Sequence, residues 1–285
     1  MDVAIVGAGR VGTAVGVLLL AAGHTVTAVS GRDATRIRVA EFLPGVPVVD
    51  PALAVTGATV VVVAVPDDEL ASVTAEIAPR CRRGTWVAHC SGALGLDVLE
   101  AARAAGARRL AVHPLQTFPD VRRAIEELPG CAAAVTADDE EGYAVGEAIA
   151  RDLGARPFRL ADDARPLYHA AAVLASNDLV ALSGLAARAF EVAGVPDPAA
   201  AMLPLQRATV DNVGRLGPAP ALTGPIVRGD AGTVDRNLAA LSARLPEAVN
   251  AYVVLARVAL DLATSSGRLD PARAASVEEV LSRWS

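Results

Sequence analysis

The sequence predicts an α/β protein in which a doubly wound, mostly parallel sheet is followed by an all-α second domain. Three observations indicate this fold. Short apolar runs alternate with helix-like stretches, a glycine-rich turn joins the first such run to the first helix, and only helical periodicity follows from residue 162. We therefore expect two domains, at residues 1–161 and 162–285.

The strongest local signal is the glycine motif G-x-G-x-x-G at residues 7–12, which lies between an apolar run and a helix rich in Ala, Leu and Val. In the Rossmann unit the first glycine permits a tight turn, the second lets backbone approach a pyrophosphate, and the third lets helix and strand pack closely. The phosphates lie over free N–H groups at the start of the helix. The predicted cofactor-binding residues of this loop are Gly7, Gly9, Arg10, Val11 and Gly12.

The end of the second predicted strand, 25–29, indicates which dinucleotide binds. An acidic residue at this point of a Rossmann unit binds the ribose of NAD. Here Ser30 and Arg32 occupy the region, and a hydroxyl with a guanidinium suits the 2′-phosphate of NADP. A small misalignment would instead make Asp33 a ribose ligand, and Arg32 would then be a solvated charge. The sequence favours NADP(H).

Further apolar runs predict the rest of the sheet, and a helix is expected at 138–153. Ligands of such sheets bind beyond the carboxyl ends of the strands. Pro66 and Ser91 follow two of these ends and are predicted to lie near the cofactor, whereas His113 follows a third. His113 is a candidate general acid or a structural residue. The predicted strands are 3–6, 25–29, a weak strand at 48–49, then 58–65, 85–89, 110–112 and 132–135, with a last short run at 158–160.

The second domain is predicted to consist of helices separated by Pro and Gly. The stretch 246–264 is apolar on nearly every side, which is typical of a helix buried at a domain junction or a dimer interface. We expect a homodimer formed through this domain. The predicted helices are 165–193, 198–215, 232–244, 246–264 and 270–283.

The predicted helix 165–193 carries a polar stripe on an otherwise apolar surface. At about 100° per residue, His169, Ser176 and Ser183 lie within roughly 40° of one another and Asn177 about 80° from His169. The stripe either faces a ligand or forms a structural network, because polar groups in apolar surroundings need partners. We predict catalytic roles for His169 and Asn177 and substrate contact by Ser176.

The loop 222–230 contains a second candidate for substrate binding. Arg228 could hold a carboxylate or phosphate in bidentate fashion, or it could be a surface arginine. Asp230 either belongs to the same site or caps the helix that follows.

Composition narrows the functional classes. The net charge of −6 gives no electrostatic reason to expect nucleic acid or a membrane surface, and the chain contains no lysine, which rules out a catalytic lysine. Three widely spaced cysteines predict neither a disulfide framework nor a zinc site, so no metal is expected. The first residues lack a signal peptide and the apolar stretch 14–22 is short, so we expect a cytoplasmic protein.

With these motifs assembled, the chain resembles a little-characterised bacterial family that joins a Rossmann-like NADP-binding domain to an all-helical domain of unknown function. It is similar at greater distance to ketopantoate reductase, pyrroline-5-carboxylate reductase, 6-phosphogluconate dehydrogenase and deazaflavin-dependent NADP oxidoreductases. The resemblance implies transfer of hydride between nicotinamide and substrate in an interdomain cleft. The motifs that carry it are GAGRVG (7–12), SGA (91–93), HPLQTFPD (113–120), YHAAAVLASN (168–177) and LTGPIVRGD (222–230).

One departure from these relatives concerns the proton donor. Ketopantoate reductase and the hydroxyacid dehydrogenases carry Lys-x-x-x-Asn on the first long helix of the second domain. If Asn177 is that asparagine, Val173 stands at the lysine position. The hypotheses are therefore an NADPH-dependent reductase of a small keto or imino acid, with His113 or His169 donating the proton, or a non-catalytic NADP-binding sensor or assembly protein. A hydrolase is not supported, because Ser91 lacks the G-x-S-x-G motif.

Overall fold

The computed structural model describes residues 1–32 and 34–285, and across these residues seven strands form one sheet. The strands are β1 (Asp2–Val6), β2 (Thr25–Ser30), β3 (Val60–Val63), β4 (Trp86–His89), β5 (Arg108–Pro114), β6 (Ala132–Ala137) and β7 (Arg156–Arg159). Their order is β2-β1-β3-β4-β5-β6-β7. All neighbours are parallel except β5 and β6, which are antiparallel. The predicted fold class, a mostly parallel α/β sheet followed by helices, is confirmed.

Helices cover both faces of this sheet, which explains why its strands read as continuous apolar runs. Val3 and Ile5 of β1 belong to one buried cluster, whereas their neighbours Ala4 and Val6 belong to another. The helices that follow the strands up to residue 175 are α1 (Arg10–Ala21), α2 (Thr35–Phe42), α3 (Pro51–Ala54), α4 (Leu70–Ile77), α5 (Glu100–Ala104), α6 (Val121–Glu127), α7 (Glu140–Asp152) and α8 (Arg165–Ala175).

The predicted strand at 48–49 is reduced to a single parallel bridge between Val48 and Val29. Its segment lies between two short helices, α2 and α3, and two valines do not provide enough paired backbone for a full strand. The other predicted strands occur, with bounds shifted by up to a few residues.

The chain divides into two compact units, residues 1–177 and 178–285. The change from alternating strands to helices comes earlier, near residue 162, where the sequence analysis divides the chain. The two positions differ because α8 is bonded to the sheet: Arg165 donates to backbone after β4, and Tyr168 is hydrogen-bonded to His113 of β5.

The remaining helices, most of them in the second unit, are α9 (Asn177–Val192), α10 (Pro198–Leu216), α11 (Pro218–Ala221), α12 (Ala231–Arg244), α13 (Val249–Ser265) and α14 (Pro271–Arg283). A buried cluster of their own holds α12, α13 and α14 together and includes Val234, Leu238, Leu260 and Leu281. The carboxylate of Asp230 caps α12 by accepting from the amide of Thr233 at 3.0 Å, so the capping interpretation of Asp230 is confirmed.

The predicted single helix 165–193 is wrong, because the helical backbone breaks at Ser176 (φ −125°, ψ −70°) and separates α8 from α9. The rotation that placed His169 and Ser183 on one stripe therefore does not apply. Ser183 instead donates to the carbonyl of Leu179 at 2.6 Å and accepts from Gln206 at 2.7 Å, which is a structural arrangement within the second unit.

Large apolar side chains on α9, α10 and α13 are exposed. Val180 is 71% exposed and Leu205 is 62% exposed, and none of the residues of α9 or α10 is buried. Within the described residues, the stretches 162–192 and 246–265 are also long and apolar enough to cross a membrane by length and composition alone.

Candidate functional site

The three motif glycines differ in the space that surrounds them. Gly7 has φ +94°, which L side chains rarely adopt, and a Cβ there would stand 2.7 Å from the carbonyl oxygen of Ala64. A Cβ on Gly12 would overlap the carbonyl oxygen of Gly7. A Cβ on Gly9 would meet nothing within 4 Å. The turn therefore requires Gly7 and the packing of helix on strand requires Gly12, whereas Gly9 leaves open space in front of the backbone.

The loop that contains these glycines is held from several sides. The amides of Gly7 and Ala8 donate to the carbonyl of Ser30 at 3.1 and 2.7 Å. The carbonyl of Ala8 accepts from the hydroxyl of Thr13 at 3.1 Å and from the guanidinium of Arg38 at 2.8 Å. Gly9 is the N-cap residue of α1, so no side chain of its own occupies the helix start. This arrangement leaves the first amides of α1 facing the open space, as an anion site requires.

A cavity of about 450 Å³ adjoins this loop. It brings together five of the predicted cofactor-binding residues, namely Gly7, Gly9, Ser30, Arg32 and Pro66. The other predicted residues, Arg10, Val11, Gly12 and Ser91, are not part of its lining. The Arg32 guanidinium forms an exposed ion pair with Glu69. Asp33 lies outside the described residues. The lining also includes residues that sequence reasoning missed, namely Thr35, Arg38 and Glu69.

Arg38 illustrates a signal that was available in the sequence. It lies on the helix that follows the second strand, where a basic residue facing the glycine loop would be within reach of a 2′-phosphate. Thr35 was harder to find, because its role is steric: its hydroxyl fills the position that a Cβ on Gly31 would take.

Ser91 fixes the loop that follows β4. Its hydroxyl donates to Asp67 at 2.9 Å and accepts from the amides of Ala93 and Leu94 at 3.2 and 3.1 Å. Its own amide donates to Nδ1 of His89 at 3.2 Å. The hydroxyl is therefore engaged within the loop, and a role for Ser91 in binding the cofactor stays a prediction.

Arg165 is the largest fully buried side chain of the described residues. Its guanidinium donates to the carbonyls of Ser91 and Leu94 and to the hydroxyl of Thr136, the last at 3.0 Å. A buried charge is costly unless its donors are satisfied. Arg165 meets this condition, and in doing so it fastens the start of α8 to the loop after β4 and to β6.

A cluster of three ring side chains lies beside this loop. Nδ1 of His113 is 2.8 Å from the hydroxyl of Tyr168, and the two rings meet edge to face at 5.5 Å. The rings of His113 and His169 are 6.4 Å apart, also edge to face. A Cβ on Gly92 would stand 2.7 Å from Nδ1 of His169 and 2.9 Å from Nε2 of His113. The two imidazoles therefore close around the Gly92 backbone, which explains why glycine stands there.

The cluster lines a second cavity, of about 680 Å³. The structure here brings together four residues that the sequence predicts for catalysis or substrate binding, and adds Tyr168, which sequence reasoning did not assign. Arg228 is exposed in the second unit and is not among the residues of this lining. The polar lining residues are His113, Gln116, Thr117, Tyr168, His169, Ser176 and Asn177.

The backbone wall of this cavity is fixed by the segment 113–120. Asp120 caps α6 by accepting from the amide of Arg123 at 2.9 Å, and Gln116 donates to the carbonyl of Glu127 at 3.1 Å. Arg10 of the glycine loop donates to the carbonyl of Pro119 at 3.1 Å. The wall of the larger cavity is therefore bonded to the loop predicted to hold the cofactor.

Burial sets the protonation of this region. It lowers the pKa of His113 to about 4, with the nearby positive charge of Arg165 adding to the effect, and it lowers the pKa of His89 to about 3. Burial raises the pKa of Tyr168 to about 12. At neutral pH the cluster therefore presents a neutral imidazole beside a phenol that keeps its proton.

Comparison with known proteins agrees with this fold. Residues 1–114 match a family model described as a Rossmann-like domain, and residues 131–259 match a model for a domain of unknown function (DUF2520). No curated protein sequence matches the chain significantly.

Three solved structures share the fold across nearly all of the chain. A candidate NADP oxidoreductase from Bacteroides fragilis is 24% identical, covers 90% of this chain and 97% of its own, and has a TM-score of 0.76. An imine reductase variant from Myxococcus stipitatus in complex with NAD⁺ is 20% identical, with coverages of 99% and 98% and a TM-score of 0.62. The Plasmodium falciparum pyrroline carboxylate reductase with NADP bound is 12% identical, with coverages of 100% and 98% and a TM-score of 0.61. The chain is thus similar to a Rossmann-like domain in its first part and to the DUF2520 domain in its second, the combination that the sequence resemblance predicts.

Proposed function

We propose that the protein is an NADP(H)-dependent oxidoreductase that reduces a small keto or imino acid. The observation that carries this proposal is the open space over Gly9, between two glycines that the fold itself requires. A pyrophosphate fits there, against the first amides of α1. Structural relatives whose descriptions name NAD⁺ or NADP support the same cofactor class.

The cavity beside the glycine loop supports a phosphorylated ribose. In this proposal Ser30 and Arg32 bind the 2′-phosphate, and Arg38 reinforces them from α2. Arg32 leaves its exposed pair with Glu69, which costs little because exposed ion pairs contribute about 0–1 kcal/mol. Pro66 lies in the same lining, and Ser91 fixes the neighbouring loop on the nicotinamide side.

The larger cavity is the proposed substrate site. When bound, NADPH supplies hydride to the substrate carbon, so the protein must supply one proton in each turnover. His113 and His169 stand in the lining as groups that can donate this proton or position its donor, while Ser176 and Asn177 are proposed to orient the substrate. Arg228, in the second unit, is proposed to bind the acid group, since a guanidinium pairs with a carboxylate in bidentate fashion.

Turnover with a panel of keto and imino acids, beginning with ketopantoate, tests this proposal. We expect NADPH to be oxidised by at least one of these acids. His113→Ala and His169→Ala should bind NADPH with the affinity of the wild type, measured by cofactor fluorescence, while turnover falls. Full activity in both variants would remove the histidines from the reaction, and failure to bind NADPH would overturn the cofactor assignment.

A second candidate function is a non-catalytic NADP-binding sensor or assembly protein. It is favoured by the lining of the larger cavity, which contains Val173, the residue at the position of the relatives' lysine if Asn177 is their asparagine. It predicts NADPH binding without oxidation against the whole panel, together with a change in association when cofactor is added.

We further propose that the protein acts in the cytoplasm as a homodimer formed through its helices. The exposed apolar residues of α9, α10 and α13 lie on the same unit as an apolar groove of about 350 Å³, lined by Leu182, Leu185, Tyr252 and Leu255 among others. The second unit thus offers both exposed apolar side chains and a groove, which is what a self-complementary interface needs. If a second copy covers these helices, their exposed apolar side chains are explained without placing them in a membrane.

A further inference from the structure

Tyr168 and His113 form a pair that the proposed reaction does not yet use. The hydroxyl of Tyr168 is 2.8 Å from Nδ1 of His113, and both side chains line the larger cavity. The phenol ring also meets the ring of Phe158 edge to face at 5.9 Å. Tyr168 is therefore held by one hydrogen bond and two ring contacts, with its hydroxyl at the wall of the proposed substrate site.

Resting on the proposed function, we propose that Tyr168 delivers the proton to the substrate and that His113 is its positioning residue. Nε2 of His113 and Nδ1 of His169 lie 2.9 and 2.7 Å from the point that a Cβ on Gly92 would occupy, and Nδ1 of His169 is buried there without a hydrogen-bond partner among the described residues. His113 thus has Tyr168 bonded to one ring nitrogen and Gly92 beside the other.

Protonation favours the phenol as the donor. With a pKa of about 4, His113 carries no extra proton at pH 7 that it could give away. Tyr168 keeps its proton at that pH, because burial raises its pKa to about 12, while the positive charge of Arg165 partly opposes this rise. The phenol is consequently protonated, and a cation already lies nearby to stabilise the phenolate that forms.

The proposed proton transfer involves the phenol of Tyr168, the substrate and the imidazole of His113. The O–H bond of Tyr168 breaks as a new O–H or N–H bond forms on the reduced carbonyl oxygen or imine nitrogen, while the electrons for reduction come from NADPH. The neutral imidazole of His113, with its proton on Nδ1, donates a hydrogen bond to the phenolate oxygen. Water entering the cavity then restores the phenolic proton. This tautomer leaves Nε2 without a proton on the side of the ring next to Gly92.

The chain offers a matched pair of substitutions to test this. Tyr168→Phe removes one hydroxyl at the cluster, whereas Tyr143→Phe makes the same change on α7, where Tyr143 lies under Arg159. We expect turnover to fall about 100-fold or more in the first variant and to stay within twofold of the wild type in the second. The affinity for NADPH and the melting temperature should be unchanged in both.

A second measurement does not depend on turnover. Nitrogen-15 NMR of labelled histidine reports which ring nitrogen carries the proton, and we expect the Nδ1–H form for His113 in the wild type and loss of that preference in Tyr168→Phe. Equal turnover in Tyr168→Phe and Tyr143→Phe would overturn the role of Tyr168 and leave the proposed reductase intact. If the wild type oxidises no NADPH with any substrate, the proposed function and this inference fail together.

Discussion

A side-chain carbon on Gly92 would stand 2.7 Å from Nδ1 of His169, closer than real side-chain carbons approach other atoms. Gly92 does not lie at positive φ, so an alanine there is compatible with the backbone and is opposed only by the rings. The residue thus controls the position of the cluster without contributing a polar atom to it.

Gly92→Ala should therefore displace the imidazoles and lower turnover on the order of 100-fold, because catalytic groups tolerate little misplacement. The affinity for NADPH should stay close to that of the wild type. Gly232→Ala on α12, where a Cβ meets only ordinary contacts, is the control and should be neutral. Wild-type turnover in Gly92→Ala would show that the cluster plays no part in the reaction.

Substitutions at Gly9 and Gly12 distinguish an effect on cofactor affinity from an effect on the stability of the fold. In Gly9→Ala the new methyl group enters open space, so we expect an unchanged melting temperature and a loss of NADPH affinity of at least tenfold. In Gly12→Ala the methyl group overlaps the carbonyl of Gly7, so the melting temperature itself should fall. Calorimetry and fluorescence titration measure the two effects, and unchanged NADPH affinity in Gly9→Ala would place the cofactor elsewhere.

Cofactor preference depends on Arg32 in the proposed site. Arg32→Ala should weaken NADPH binding roughly tenfold or more, which corresponds to the loss of a charge-assisted hydrogen bond, and should leave NADH binding nearly unchanged. Arg36→Ala, at an exposed position of α2 outside the cavity lining, is the matched control. Equal losses for both cofactors would contradict a 2′-phosphate site at Arg32.

The buried histidines predict how stability depends on pH. Nδ1 of His89 accepts from the amide of Ser91 and Nε2 donates to the carbonyl of Gly95, so both nitrogens are satisfied in the neutral ring. The unfolded chain takes up a proton near pH 6.5, whereas folded His89 and His113 have pKa values of about 3 and 4. The stabilisation is complete above pH 6.5 and is lost as pH falls from there towards 4.

Urea titrations between pH 7 and pH 4 measure this slope. Each histidine contributes roughly 3 kcal/mol over the window, given 1.36 kcal/mol for each unit of pKa. His89→Gln should flatten the profile while lowering stability at pH 7. A flat profile in the wild type would mean that folding does not lower the pKa values of these two histidines.

Features set by neighbouring residues were predictable from the sequence, and features set by distant residues were not. The three glycines of the motif stand within six residues, so their separate roles follow from the spacing, although Gly7 also packs against the distant Ala64. The pairing of Tyr168 with His113 joins positions 55 residues apart, and no periodicity reveals it. The motif YHAAAVLASN (168–177) indicated that this segment belongs to the site, but it did not indicate that the Tyr168 hydroxyl is hydrogen-bonded to His113.

Two other differences have similar causes. Ser176 ends α8 without a proline or glycine nearby, so the apolar pattern of the sequence continued through the break. Arg165 would normally be expected on the surface, because arginine is rarely buried without partners. Its partners are a hydroxyl and two carbonyls on segments that reach it only in the folded chain.

The exposed face of α9 tests the proposed interface between copies. Val180→Glu places a charge on a residue that is 71% exposed in the single chain, and we expect the variant to sediment as a monomer. Ala275→Glu, on an exposed position of α14, should leave the dimer intact. Wild-type protein that sediments as a monomer at all concentrations, or that partitions with lipid vesicles, would contradict a dimer through these helices.

The uncovered apolar helices also connect the protein's stability to its abundance. If each copy buries these helices against its partner, the free energy of unfolding includes the free energy of association, and mass action makes the melting temperature rise with protein concentration. Dilution alone would then expose α9, α10 and α13 to water. A cell that makes little of this protein would hold it closer to unfolding than one that makes much of it, with no change in sequence.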